Sequence, residues 1–232
     1  MKNAIFLFIT FLNLNSSYAN ISNIIFPKDD ALKAVKLKAI SEINEIMGNG
    51  NAADIVTNSK KVLLWANSAN ALPRYDLEGK RYYEETTLPL FMASTAGTKE
   101  RVKAEMERIC VCDLADKEIA GIIIASPYMA AKMFYKRGYN GHDGSELDGK
   151  VPPIVIIYHE FGHVKDYILN DEWFLDLASM MDRQWKNKAE ESAVQTQNDL
   201  SITLAAKRQI YPRIRRSYGR NELYLVDDLF SF

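Results

Sequence analysis

The chain has 232 residues, 47% of them hydrophobic, and a formal net charge of −1. That length and apolar content suffice for one sizeable core, so a single domain over residues 20–232 is expected. Near-neutrality excludes a molecule-wide attraction to nucleic acid or to anionic membranes, and any charge preference must be local.

At the N-terminus, Lys2 precedes a mostly apolar run from Ala4 to Leu14 and the small exit residues Ser17 and Ala19. Residues 1–19 read as a cleavable secretory signal peptide, so the mature chain is expected outside the cytoplasm: secreted, in the periplasm or in a host cell. The run falls short of the roughly 20 residues that span a bilayer, which predicts a mature protein without stable membrane insertion.

From Asp30 onward, Leu32, Val35, Ile40, Ile43 and Met47 recur at helical spacing until Gly48 closes the run. Residues 60–67, with Val62 to Trp65 apolar, fit a helix or a buried strand equally well. Alternating charges predict an exposed helix from Thr98 to Arg108, and the runs Ile109–Cys112 and Gly121–Ala125 read as strands of a small sheet. On such a strand Cys110 and Cys112 point to one face, a poor geometry for a disulfide and too few ligands for a metal, which predicts buried thiols. Residues 137–150 carry four glycines and little apolar content and are expected to be a loop, with His142 solvated.

Pro152 and Pro153 suit the first turn of a helix, and Ile154–Tyr158 followed by Phe161, Val164, Tyr167 and Ile168 predict that it is buried on most sides. A further helix is expected over about residues 188–207. The buried helix carries His159-Glu160-Phe161-Gly162-His163, the H-E-x-x-H pattern. Two histidines four apart share a helical face and can converge on one ion, and Glu160, rotated by about 100°, can reach a water beside it. Gly162 fits close approach of another backbone.

A catalytic zinc usually takes three protein ligands and leaves a position open. Leu169 and Asp166 stand where a metzincin would place its third histidine and its glycine, so that class is excluded. The expected third ligand is Glu190, opening the next helix, rather than Glu191, because Ala193 follows Glu190 at i+3 and lets the two helices pack closely.

These residues resemble the NleD-like effector metallopeptidases, a zincin family. The resemblance is carried by Ile154–His163, by Ala193-Val194-Gln195-Thr196-Gln197-Asn198 and by the arginine-rich stretch Arg213–Tyr218, and it aligns the family's second motif glutamate with Glu190. It implies an α+β, zincin-like domain, a small sheet with an active-site helix and a second ligand-bearing helix. It also implies an exported virulence effector or toxin acting on host proteins, with signalling kinases among the substrates that the family cleaves.

The expected chemistry is metal-assisted hydrolysis of a peptide bond, with one Zn2+ on His159, His163 and Glu190 and with Glu160 as general base. Manganese or cobalt would also fit such ligands in vitro. Charge developing on the carbonyl oxygen calls for a donor; Tyr218, which matches the family stretch, is the candidate, ahead of Tyr211 and Tyr224. Lys207, Arg208, Arg213, Arg215, Arg216 and Arg220 are read as a solvated face in preference to a subsite for acidic or phosphorylated substrate. The partner is then a protein or peptide, not nucleic acid. Alternatives are a periplasmic or extracellular cell-wall peptide hydrolase, which shares the metal chemistry, and a catalytically silent binding module, which has no need of Glu160.

Overall fold

The computed structural model describes residues 21–67, 73–75, 81–83, 89–134, 147–182, 185–208, 214–215 and 221–231. The signal-peptide segment 1–19, His142, Tyr211 and Tyr218 lie outside them. In chain order the elements are β1 (Ile24–Ile25), α1 (Lys33–Met47), α2 (Ala52–Thr57), β2 (Val62–Ala66), β3 (Pro73–Tyr75), β4 (Arg81–Tyr83), β5 (Leu90–Ala93), α3 (Lys99–Cys110), β6 (Ile119–Ile124), β7 (Met129–Phe134), β8 (Leu147–Val151), α4 (Pro153–Leu169), α5 (Asp171–Ser179), β9 (Met181–Asp182), β10 (Lys186–Asn187), α6 (Lys188–Arg208) and β11 (Asn221–Leu225). The architecture is α+β.

The apolar run at 62–66 forms a strand because both of its faces are covered. The main sheet has the order β1-β2-β6-β5, with β1, β2 and β6 parallel and β5 antiparallel to β6 at one edge. Val62 and Leu64 of β2 and Ile122 and Ile124 of β6 pack against Val102, Met106 and Ile109 of α3. Leu63, Trp65 and Ile123 face the other way, into the core shared with α1, α2 and α4. Alternation at period two thus serves two layers of helix. Gly121 on β6 has φ 150°, and a Cβ there would stand 2.1 Å from the Met92 carbonyl oxygen, so only glycine lets β5 cross β6 at this point.

A second, antiparallel sheet, β11-β7-β8, leads straight into α4. Leu147–Val151 is therefore a strand, although the glycine-rich composition of 137–150 predicts loop: pairing with β7 outweighs weak local preference. Pro152 precedes the helix in extended conformation and Pro153 occupies its first turn. The Leu229 carbonyl accepts the Ile154 N–H at 3.1 Å, satisfying a donor that the helix itself leaves open.

The expected strand at Ile109–Cys112 is corrected. Val102, Met106 and Ile109 continue the apolar stripe of α3, so helix runs through Cys110, and Val111 turns in the left-handed region at φ 53°. That turn brings the Cα atoms of Cys110 and Cys112 to 5.2 Å, and the two sulfurs form a disulfide. The expectation of free buried thiols rested on strand geometry, which this turn replaces.

One buried polar cluster stiffens the core. Lys36 and Asp30 have fully buried side chains and pair at 2.7 Å. The Lys36 ammonium also donates to the Trp65 carbonyl at 2.8 Å and lies 5.6 Å from the ring centres of Phe26 and Trp65. Asp30 accepts in addition from the Leu32 N–H and the Asn67 amide, each at 2.9 Å.

Candidate metal centre

Helix α4 is fixed from several sides, and this sets where its histidines point. Phe161 meets Trp65 edge to face at 5.5 Å between ring centres, while the Trp65 indole N–H donates to the Ala125 carbonyl at 2.8 Å. The Tyr158 hydroxyl accepts the Ala52 N–H at 3.2 Å, at the start of α2. Helix α4 also lies against α6. A Cβ at Gly162 would come within 3.2 Å of Thr196 Cβ and 3.3 Å of Ala193 Cα, so the missing side chain is what permits the approach. Ser192 adds a hydrogen bond to Asp166 at 2.6 Å.

This packing brings together the three residues that spacing singled out. His159 and His163 are buried, with ring centres 4.9 Å apart and planes at 89°. The Glu190 Oε2 lies 3.4 Å from His159 Nε2 and 3.6 Å from His163 Nε2. The Asn187 side chain accepts the Glu190 N–H at 2.9 Å and anchors the start of α6. Glu191 points elsewhere, to the Lys188 ammonium at 2.7 Å.

His159, His163 and Glu190 form a group that could hold a metal ion, their ligand atoms all lying within 4.8 Å of one another. The geometry fits that use. Two ligand atoms each ~2.1 Å from a tetrahedral zinc are about 3.4 Å apart, close to the carboxylate–imidazole separations here. Glu190 Oε2 is buried and has no hydrogen-bond partner among the described residues, nor does Glu160 Oε2. A buried acceptor left in this state is costly, and a cation supplies what is missing. The Nδ1 atoms of both histidines are likewise without partners.

Protonation agrees with the donor set. Burial works to raise Glu190, but the two imidazoles outweigh it and hold the carboxylate well below its ordinary range. Burial lowers His159 to about 4, so its imidazole is neutral at pH 7. At His163 burial is opposed and outweighed by Glu190, Glu160 and Asp166, and the net direction is upward. Metal binding competes with protons for ligands of this kind. Burial pushes Glu160 up to about 7, with ionised Glu190 adding to the rise and His163 and Arg215 opposing it. A carboxyl group poised there can accept and return a proton near neutral pH.

The site opens into a cleft of about 360 Å³. It is lined by Pro89 and by Leu90 and Phe91 of the edge strand β5, by Phe174 and Ala178 of α5, and by Met133, Gln197 and Leu223. Arg215 also lines the cleft and is only 5% exposed, so the solvated face expected of the basic stretch does not hold for it. Its place is set by Asn198, whose carboxamide accepts the Arg215 N–H at 2.8 Å and donates to the Arg215 carbonyl at 3.0 Å. Sequence reasoning missed this pairing, because nothing in the spacing of Asn198 and Arg215 signals a contact between a helix and a loop. Of the three tyrosines considered as donors, only the backbone of Tyr224 is described, in β11.

No protein-family model matches the chain, and neither the curated proteins nor the solved structures contain a match.

Proposed function

We propose that the protein is a zinc-dependent metalloendopeptidase of zincin type, and that it belongs with the NleD-like effectors that its motifs resemble. The observation that carries the reading is the convergence of His159, His163 and Glu190 with the buried Glu160 carboxyl in one cleft. A zinc ion held by the three ligands would lower the pKa of a bound water to about 7 and polarise a scissile carbonyl.

Glu160 takes a proton from the attacking water and delivers it to the leaving amine nitrogen. Phe91, Phe174 and Met133 exclude bulk water from the cleft and receive apolar substrate side chains. Strand β5 is the edge of its sheet among the described residues, and that edge offers a template along which an extended peptide can lie. Export is part of the proposal and rests on residues 1–19. Among the described residues no helix is long and apolar enough to cross a membrane.

The test is cleavage of an unfolded protein substrate by wild type and Glu160→Gln. The substitution removes the base and keeps the ligands, so the variant should retain zinc and lose about 100- to 10,000-fold in kcat. Cleavage unchanged in Glu160→Gln would overturn the assignment of the base and with it the proposed chemistry.

A further inference from the structure

The second-ligand helix does more than supply Glu190. Two turns beyond it, Asn198 uses both ends of its carboxamide to grip the backbone of Arg215, accepting from the N–H at 2.8 Å and donating to the carbonyl at 3.0 Å. This is the pairing a strand neighbour would make, provided by one side chain. It ties the 214–215 segment, where Ile214 is exposed and Arg215 buried, to the rigid helix that carries the ligand. Arg215 lines the same cleft as His159 and Glu160.

A cation placed beside a would-be metal site repels the ion. The arrangement makes sense if the charge is needed when an anion forms. Arginine stays protonated at any working pH and has a planar fork of donors, which suits it to hold negative charge without exchanging a proton.

We propose that Asn198 is a positioning residue, whose grip on the Arg215 backbone holds the Arg215 guanidinium in the cleft to receive the negative charge that develops on the scissile carbonyl oxygen. This rests on the metallopeptidase reading. No proton passes through Arg215, and the proton transfer remains with Glu160. A group of this kind acts through electrostatic preorganisation: it must already be in place when the charge appears, which is why its backbone is clamped and not only its side chain.

The experiment compares wild type, Asn198→Ala, Arg215→Ala and the double variant in two readouts. One is the split between kcat and KM; the other is calorimetric binding of a peptidyl phosphonate, a tetrahedral anion, against the matching uncleaved peptide amide. Arg215→Ala should lose about 100- to 1,000-fold in kcat, the range for removing one such donor, with KM little changed. Asn198→Ala should lose about 10- to 100-fold. Both should weaken the phosphonate by a similar factor while leaving the amide and the zinc affinity as in wild type. The double variant should be no worse than Arg215→Ala alone, because Asn198 acts through Arg215. Asn198→Asp, which keeps the acceptor and loses the donor, should fall between wild type and Asn198→Ala, and it serves if the alanine variant does not fold.

Losses that add in the double variant, or phosphonate and amide weakened equally, would overturn the positioning role and leave the metallopeptidase reading intact if wild type still cleaves in a Glu160-dependent way. A zinc-loaded wild type that neither cleaves nor binds the phosphonate overturns both.

Discussion

Two buried polar clusters in this chain, built from the same kinds of residue, are finished in opposite ways. Around Lys36 the ammonium meets a carboxylate, a carbonyl and two aromatic faces, and Asp30 accepts from three donors. Around His159, Glu190 Oε2 and Glu160 Oε2 have no hydrogen-bond partner among the described residues, although both side chains are largely buried. The Lys36–Asp30 pair is satisfied and contributes rigidity; the second cluster is incomplete and faces a cleft. Buried polarity alone does not identify a functional site. Incompleteness in front of a cavity does, because only a ligand can complete it.

The contrast can be broken most forcefully at the closed cluster. Asp30→Ala strands the Lys36 ammonium in the core and should cost about 3–5 kcal/mol, lowering Tm by on the order of 10 °C, with zinc affinity unchanged. Lys36→Met removes the charge as well and should cost clearly less. The pH dependence follows the carboxylate. Burial draws Lys36 down to about 8, so the two partners shift in the same direction for different reasons, and the pair is ionised at neutral pH. For Asp30 burial is outweighed by its bonds to Lys36, Asn67 and Leu32, which hold it below 3.8. A depressed carboxylate stabilises the fold above its unfolded pKa, and that contribution is lost as pH falls through the lower folded value. The difference in urea midpoint between wild type and Asp30→Asn should thus be constant from pH 7 to 5 and shrink below about pH 4. A difference unchanged at pH 3 would contradict the ionised pair.

At the open cluster the balance between stability and ligand binding should reverse. In Gly162→Ala the new Cβ meets Thr196 Cβ at 3.2 Å and Ala193 Cα at 3.3 Å. Overpacking of this sort costs about 1–3 kcal/mol, offset by roughly 1 kcal/mol of helix propensity. The net loss of stability should be small. The same shift moves α4 away from α6 and parts the histidines from Glu190, so zinc affinity should fall about tenfold or more. A variant that binds zinc like wild type would show that the α4–α6 spacing does not govern the site.

Much of this was legible in the sequence where one periodicity acted alone. The apolar run after Pro153 defines α4, the four-residue spacing aligns His159 with His163, and Ala193 three residues after Glu190 marks the helix face that meets Gly162. Lys36 was also open to detection, since it falls within the apolar stripe of α1 that includes Ala39, Ile40 and Ile43. What escaped depended on contacts distant in sequence or on single backbone turns. The left-handed turn at Val111 made a disulfide from a pair that strand geometry would separate. Residues 147–151 are a strand because β7 lies beside them. Arg215 is buried and its backbone is held by Asn198, and a basic run carries no sign of which arginine turns inward.

The central claim is that His159, His163 and Glu190 await a metal, and calorimetric zinc titration of wild type, Glu190→Gln and Glu191→Gln tests it most directly. The wild type should take up one zinc, and zinc at about 1,000 times its Kd should stabilise the fold by about 4 kcal/mol. Glu190→Gln should bind at least 100-fold more weakly, and Glu191→Gln, whose carboxylate engages Lys188, should match wild type. A wild type that takes up no zinc, or a Glu190→Gln variant that binds it as tightly, would contradict the account.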